Sequence, residues 1–497
     1  MKTRDKDLKS RREFLRQAAC AKLGYFGLVG ALSQMRLFNA SLAAQENTGD
    51  YKALVCIFLF GGNDSNNLLV PYSGQHRNRY ENARGILALP KSEVLQISPT
   101  NAASGQEWSL HPNCSGMASL FNSGKLAMVQ NVGTLAYPIA DRTEYLSGSV
   151  PLPPQVFSHS DQQTQWQSSV PDKPFSSGWG GRLADLVDAG YNENSNVSMN
   201  ISLNGINSFQ VGQNVTQYVV NRNEGATSLW GYGSSTDRYR DALNEDGSYK
   251  NSITGQRLRR FEEIMNFSHA NLQEEAYTSL VRRAREFEGV IGGAISEAEG
   301  GGVDFDTNFE QAQTSLGDQL KMIAKLIAGR SNTGNNRQIF FASAGGYDTH
   351  AAQLPSHANL MTELSSSLLA FQTTLDALGV ADNVVTFESS DFTRTFTPNG
   401  SDANSSGSDH GWGGHQFVMG GPVNGKKLYG KYPNTTPGGP DDAGGTRGRW
   451  IPSTSVDQYS SKIAEWFGVD SNSMDTIFPN LGRFNDPNSA SANLDFI

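Results

Sequence analysis

The chain has 497 residues, of which 18% are charged, and its formal net charge is -9. An acidic balance without basic runs offers no electrostatic footprint for nucleic acid and no polybasic patch for anionic lipid, so neither is an expected partner. The 52 glycines indicate many tight turns and long ordered loops, while the three cysteines are too few for a disulfide framework.

The N-terminal segment has the order of an export signal. Residues 10–15 read SRREFL, a weakly apolar run covers residues 23–32, and small residues follow up to Ala44. This order predicts a signal peptide over residues 1–44, and the paired arginines are typical of the twin-arginine route, with a basic surface helix as the alternative. We therefore predict a periplasmic or extracellular mature chain, with the twin-arginine machinery as a partner. No later segment is apolar for long enough to span a membrane.

The segments that follow alternate between strand and helix. Residues 51–60 (YKALVCIFLF) form an apolar run rich in β-branched and aromatic residues, which is typical of a strand buried on both faces of a parallel sheet. Further predicted elements are a helix over 114–123, a strand over 125–132, a helix over 315–328, a strand over 338–343, a helix over 360–378, a strand over 383–387 and a helix over 456–468. Helices between strands imply parallel crossovers. The predicted fold is α/β, with three α/β/α layers and a mostly parallel central sheet.

Two insertions interrupt this alternation, at about residues 190–255 and 256–310. The first reads as short strands, and the arginines of the second are more typical of a solvated helix face than of a binding patch. We treat residues 45–497 as one domain with these insertions. Cys56 and Cys114, in a predicted strand and at a predicted helix start, could form a single disulfide.

Acidic residues fall in the turns after the predicted strands. Asp64 follows the first strand, Asp348 and His350 follow a later one, and Asp391 follows the next. Ligands bind outside the carboxyl ends of the strands in open α/β sheets, so these side chains are expected to meet. Each turn taken singly also fits ordinary turn chemistry. Their recurrence favours a site.

Residues 409–415 (DHGWGGH) place Asp409, His410 and His415 in one glycine-bracketed loop. Glycine permits backbone conformations that can aim neighbouring side chains at a common point. Imidazole together with carboxylate fits zinc, manganese or iron better than calcium. The alternative is a loop that packs Trp412 on the core and leaves its histidines solvated.

Residues 156–163 (VFSHSDQQ) could supply a nucleophile. Ser158 or Ser160 could cap a helix whose N-terminal amides attract an anion, and a serine beside a cation could attack phosphorus or sulfur. His159 could be a ligand or a general acid. Helix capping without chemistry is the alternative.

Five short motifs, in this order and spacing, resemble the DUF1501 family, exported bacterial proteins assigned to the alkaline phosphatase-like superfamily of sulfatases and phosphatases. They cover residues 58–67, 111–112, 158–162, 345–350 and 390–411. The resemblance extends over about residues 51–468 and implies an alkaline phosphatase-like α/β/α fold. Because the family is one of unknown function, the resemblance implies a site more than a substrate.

The superfamily's site residues carry over one position at a time. A metal-binding aspartate after the first strand corresponds to Asp64, and a nucleophilic serine or threonine at a helix start corresponds to Ser158. A later metal-binding pair corresponds to Asp348 and His350, with a shorter spacing than usual. Where an adjacent Asp-His pair normally follows the next strand, this chain has Asp391 and a phenylalanine, Phe392.

The missing imidazole could come from the loop that holds Asp409, His410 and His415. The resemblance then implies a divalent metal, zinc first, with manganese, iron or calcium as alternatives. Such a metal would polarise an ester oxygen and lower the pKa of Ser158 or of a bound water. Arg394 could pair with an anionic substrate or, alternatively, with a buried acid.

The resulting hypothesis is an exported, metal-dependent hydrolase of phosphate or sulfate esters, with Ser158, His159 and Arg394 as catalytic candidates. Phe392 leaves open whether catalysis is retained. The main alternative is a non-catalytic secreted or envelope protein on the same fold, which acts as an interaction partner. A third reading, a glycan-binding module, rests on Trp179 and Trp230 being exposed.

Overall fold

The structure is a computed structural model that describes residues 50–484 and 494–497, apart from residues 194, 227–232, 235–236, 239–241, 245, 247 and 267–270. The predicted signal peptide and Trp230 therefore lie outside the described residues. Within the described ranges, the model contains no helix with the length and apolar character needed to cross a membrane.

A large mixed sheet forms the middle layer of the molecule. The strands of the described residues are β1 (Lys52–Leu59), β2 (Leu69–Pro71), β3 (Leu95–Ile97), β4 (Trp108–Leu110), β5 (Leu126–Gly133), β6 (Asn200–Ser202), β7 (Tyr218–Val219), β8 (Gly233–Ser234), β9 (Asp237–Arg238), β10 (Arg337–Ala344), β11 (Val384–Ser390), β12 (Gly414–Gly420), β13 (Leu428–Gly430) and β14 (Thr454–Ser455). The order in the large sheet is β13-β5-β12-β11-β1-β10-β6-β7, and β14 also pairs with β5. Only β12 runs antiparallel to its neighbours, so this sheet is mostly parallel, as predicted.

Helices cover both faces of this sheet. The α-helices of the described residues are α1 (Ser65–Leu68), α2 (Gly74–Arg84), α3 (Ser115–Asn122), α4 (Arg142–Ser147), α5 (His159–Ser168), α6 (Trp179–Tyr191), α7 (Ile253–Met265), α8 (Leu272–Gly300), α9 (Phe305–Asn308), α10 (Ser315–Ala328), α11 (Arg330–Thr333), α12 (Gln353–Ala377), α13 (Val456–Phe467) and α14 (Met474–Ile477). Helices α3, α8, α10 and α12 pack in one hydrophobic core, and α5, α6 and α13 pack in another. The predicted three-layer α/β/α fold is confirmed.

Alternation along β1 explains why there are two cores. Val55 and Ile57 lie in the first core, whereas Leu54 and Phe58 lie in the second, because successive side chains of a strand point to opposite faces. A strand buried on both faces is therefore apolar on both, as residues 53–59 of β1 are, whereas Lys52 at its start is only partly buried.

The arrangement of the two cores tests the predicted disulfide and the predicted exposure of Trp179. Cys56 packs in the second core and Cys114 in the first, so the sheet separates the two buried thiols and both are free. Trp179 is also buried, with its ring centroid 4.7 Å from that of Phe209 and 5.4 Å from that of Phe387. It is therefore a core residue and not the exposed glycan platform that the third reading required.

Candidate metal centre

Three neighbouring strands end at the same level and bring their turns together. Leu59, the last residue of β1, is in register with Ala344 of β10 and with Ser390 of β11. The turn after β1 contains Gly61 at φ 113°, and a Cβ at this position would overlap the backbone nitrogen of Asp348. Glycine is thus required for the turn after β10 to pack against the turn after β1.

Asp348 lies at the centre of a group of histidines. Its Oδ1 atom is 3.5 Å from Nε2 of His159, 3.0 Å from Nε2 of His350 and 3.5 Å from Nε2 of His410. The Nε2 atoms of His350 and His410 are 2.9 Å apart. Among the described residues, His159, Asp348 and His410 form the one group whose ligand atoms all lie close enough to hold a metal, within 4.8 Å of one another. Three segments distant in sequence therefore converge on one carboxylate oxygen.

Each of these histidines is held through its other ring nitrogen. Nδ1 of His159 is 2.6 Å from Asp391 Oδ2, Nδ1 of His350 is 3.1 Å from Asp409 Oδ1, and Nδ1 of His410 is 2.7 Å from the carbonyl oxygen of Phe157. A carbonyl or carboxylate oxygen accepts only, so in each case the Nδ1–H donates. In each histidine, Nε2 is therefore the ring nitrogen left to face Asp348.

The donor set fits a divalent metal. The Nε2 atom of His159 is buried without a hydrogen-bond partner, and the Nε2 atoms of His350 and His410 face each other at 2.9 Å. Metal-ligating histidines commonly donate their second ring N–H to a carboxylate or a backbone carbonyl, as all three do here. Imidazole nitrogens with one carboxylate suit zinc best and also suit manganese and iron.

Charges around the group favour an ionised Asp348. Burial acts to raise the pKa of its carboxyl, but the hydrogen bond from Arg394 at 2.6 Å and the charge of that guanidinium outweigh burial and lower the pKa. The hydrogen bond to Asp391 raises the pKa of His159, whereas burial lowers the pKa of His410. Asp391 and Asp409 thus lie behind the histidines and orient them.

Phe392 occupies the position that the resemblance assigns to a histidine. Its ring centroid is 4.8 Å from that of His159 and 4.8 Å from that of His410, and it stacks on His410 with an interplanar angle of 28°. Phe392 therefore forms an apolar wall behind two of the converging imidazoles. His410 comes from the glycine-bracketed loop, as the sequence suggested, and His159 comes from the start of α5.

Asp64 and His415, two of the predicted ligands, lie outside the converging group. Asp64 is fully buried, and its Oδ2 atom accepts hydrogen bonds from Arg84 and Gln353. His415 is buried with Nδ1 accepting from the backbone N–H of Asn131 at 3.2 Å, and burial lowers its pKa to about 3. Trp412, in the same loop as His415, is buried and donates to the carbonyl oxygen of Thr134, so the loop also has the packing role of the alternative reading.

Two of the predicted catalytic residues also have other partners. Ser158 is the N-cap residue of α5, and its hydroxyl donates to Asp161 Oδ2 at 2.6 Å. Arg394 is fully buried, with Nη1 also donating to the carbonyl oxygen of Gly61 and Nη2 to that of Ser408. Arg394 thus pairs with Asp348, whose side chain is 45% exposed and is not the buried acid of the alternative reading.

Replacing Asp391 by asparagine is expected to weaken metal binding about 10- to 100-fold, the usual effect of losing the carboxylate that accepts a hydrogen bond from a ligand histidine. An amide nitrogen facing His159 Nδ1 would favour the tautomer with the proton on Nε2, which removes the lone pair. Competition of the variant with a chromophoric zinc chelator measures the effect. Asp161→Asn, on the helix that begins at His159 but not bonded to a histidine, is the matched control, and equal affinities for the two variants would contradict the assignment.

Comparisons with known proteins give one family match. A family model described as "Protein of unknown function (DUF1501)" matches residues 51–439. No curated protein matches the chain. One similar solved structure is the PsFucS1 sulfatase from Pseudoalteromonas sp., at 11% identity and a TM-score of 0.33, covering 88% of this chain and 73% of that one. Another is Ps i-CgsB in complex with k-i-k-neocarrahexaose, at 7% identity and a TM-score of 0.33, covering 88% and 77%. Similarity at this level identifies no substrate.

Proposed function

The chain belongs to the DUF1501 family, and from that premise we propose that it is an exported, metal-dependent hydrolase of anionic esters. The observation that carries the proposal is the convergence of Nε2 of His159, His350 and His410 on Oδ1 of Asp348. His159, Asp348 and His410 would hold the metal, with His350 beside them as a further ligand candidate, and zinc is the first choice, with manganese or iron as alternatives. A metal bound there supplies Lewis acidity toward an ester oxygen.

The surrounding residues fix the ligands before any substrate arrives. Asp391, Asp409 and the Phe157 carbonyl hold the three imidazoles in one orientation, and Arg394 lowers the pKa of Asp348. Preorganised ligands of this kind avoid the reorganisation that a loose site would need during the reaction.

The charge balance supports an anionic substrate. Asp348, Asp391 and Asp409 are the carboxylates in contact with the histidines. Three guanidiniums lie close to this group. Arg394 pairs with Asp348, Arg447 pairs with Asp409, and Arg449 donates to the backbone oxygen of His410. The three carboxylates and the three guanidiniums balance in charge, so a divalent cation bound among them would add an excess of positive charge. A phosphate or sulfate ester neutralises this excess, whereas a neutral ester does not.

Ser158 is the proposed nucleophile. It directly precedes His159, and its hydroxyl is hydrogen-bonded to the Asp161 carboxylate. An adjacent base that accepts the hydroxyl proton is the usual way to activate a serine for attack. His159 then acts as a ligand, and Arg394 positions Asp348 without touching the substrate.

The test starts with the mature chain recovered from the periplasmic or culture fraction of producing cells. We expect about one zinc, manganese or iron per chain by elemental analysis, and turnover of p-nitrophenyl phosphate or p-nitrophenyl sulfate that a chelator abolishes and the metal restores. A folded, metal-free chain that turns over neither ester would instead favour a non-catalytic secreted or envelope protein. Recovery of the chain in the cytoplasmic fraction alone would contradict export.

A further inference from the structure

Two arginines other than Arg394 approach the histidines, and both come from the segment of residues 432–450. Nη2 of Arg447 is 2.5 Å from Asp409 Oδ2, and the Arg447 side chain is 36% exposed. The Nε–H of Arg449 donates to the carbonyl oxygen of His410 at 3.0 Å, and its guanidinium lies 4.2 Å from the ring centroid of Phe157. Each arginine thus contacts a residue that belongs to, or supports, the proposed ligand set. Arg394, by contrast, has no exposed surface.

Arg449 is a cation with spare donors. Within the described part of the chain it forms no ion pair, and its side-chain hydrogen bond uses Nε, so neither terminal nitrogen of the guanidinium has a partner there. Burial and the nearby charge of Arg447 act against its protonated form and lower its pKa. Arg447 and Arg449 repel each other, the carboxylates of Asp409 and Asp442 act against that repulsion, and an anion bound between the two guanidiniums would reduce it further.

The backbone that presents these arginines is firmly supported. Asp442 is fully buried and accepts hydrogen bonds from the backbone N–H groups of Gly438, Gly448 and Arg449. The carbonyl oxygen of Arg447 accepts from the N–H of Thr397 at 3.1 Å. The segment that carries the two arginines is therefore hydrogen-bonded to Thr397, just beyond Arg394. Because its backbone is already ordered, binding a ligand should cost little conformational entropy.

We propose that Arg447 and Arg449 bind the non-bridging oxygens of the substrate's tetrahedral oxyanion. The guanidinium fork offers two parallel N–H donors that match two oxygens of a phosphate or sulfate group. This inference rests on the proposed function, because it names the residues that select the substrate of the same site. Arg449 is the main determinant, since its terminal nitrogens are uncommitted, and Arg447 divides its charge between Asp409 and the anion.

The test uses the full mature chain, loaded with zinc, and inorganic phosphate and inorganic sulfate as probes. Calorimetric titration gives the Kd of each anion, and elemental analysis gives the zinc content of the same samples. We expect R449K to weaken binding about tenfold or more while the zinc content stays at the wild-type value, because lysine keeps the charge and loses the fork. R447K should weaken binding less. R260K, an exchange of the same type at an exposed position of α7, should leave both measurements unchanged.

The possible results distinguish a failure of the inference about the arginines from a failure of the proposed hydrolase function. Wild-type anion affinity in zinc-loaded R447K and R449K overturns the inference and leaves the hydrolase standing. Loss of zinc from R449K also overturns it, because the arginine would then serve only to support His410. A wild-type chain that binds no zinc would contradict the proposed hydrolase. If that zinc-free chain binds the anions and R449K weakens the binding, the inference about the arginines is still supported. If it binds neither anion, the inference is rejected as well. Where binding occurs, tighter binding of phosphate assigns phosphate esters, and tighter binding of sulfate assigns sulfate esters.

Discussion

His410→Ala is expected to abolish metal binding and, with it, ester hydrolysis. The substitution removes one of the three Nε2 atoms that converge on Asp348 and leaves His159 and His350 without the neighbour that completes the group. The loss of affinity should exceed the roughly 10- to 100-fold effect of removing a hydrogen-bond partner of a ligand histidine. If the metal stabilises the transition state by several kcal/mol, the rate should fall about a thousandfold or more.

Elemental analysis and the hydrolysis rate of the purified variant test this expectation, with circular dichroism to establish folding. His76→Ala is the matched control, because His76 is a partly buried histidine that contacts Gln106 and Trp108, away from the converging group. The control should keep both metal and activity. A folded His410→Ala protein that retains its metal would remove His410 from the ligand set.

The strands and their turns could be predicted from sequence because their signals are local. The apolar run of β1 and the glycines after it are visible within about a dozen residues, and parallel crossovers then place Asp348, His350 and Asp391 at one edge of the sheet. The glycine-bracketed loop was likewise visible as a source of imidazole. These predictions required only the pattern of apolar residues along a strand and the residue at which the strand ends.

The role of His159 could not be assigned in the same way. It depends on where the start of α5 docks against the turn after β11, a contact between residues that are 232 positions apart. The sequence offered both a ligand and a general acid, and the hydrogen bond from Nδ1 to Asp391 supports the proposed ligand role. Arg394 was undecided for a similar reason, because its burial follows from the packing of several turns and not from its neighbours in sequence.

Asp64 lies where the sequence predicted, but it pairs with an arginine instead of joining the converging histidines. The aspartate does follow β1 at the expected edge, but Arg84, at the end of α2, reaches it and forms an ion pair in which both side chains are fully buried. A turn-based argument cannot anticipate this pairing, because it depends on the direction in which α2 returns to the sheet.

Arg84→Met is accordingly expected to destabilise the protein by about 3–5 kcal/mol, the usual cost of leaving one member of a buried ion pair without its partner. Arg84 also donates through Nη1 to the carbonyl oxygens of Thr395 and Phe396 at 3.2 Å, so its loss leaves further buried acceptors unsatisfied. Urea denaturation of the wild type and the variant measures the difference. The double variant Arg84→Met with Asp64→Asn should recover part of the loss, since it removes the unpaired charge. A double variant no more stable than Arg84→Met would contradict the ion-pair explanation.

Asp64→Asn alone then separates the ion pair from a ligand role. If Asp64 serves Arg84, the variant loses stability but binds zinc with the wild-type stoichiometry and affinity, because the converging imidazoles and Asp348 are untouched. If Asp64 were instead a ligand, as the resemblance to the phosphatase superfamily implies, the variant would bind zinc with a lower affinity or a lower stoichiometry than the wild type. Titration of zinc against a chelator, beside the denaturation curve of the same sample, distinguishes the two outcomes. We expect the stability to change and the zinc affinity to remain, because the positive charge next to Asp64 is already supplied by a guanidinium.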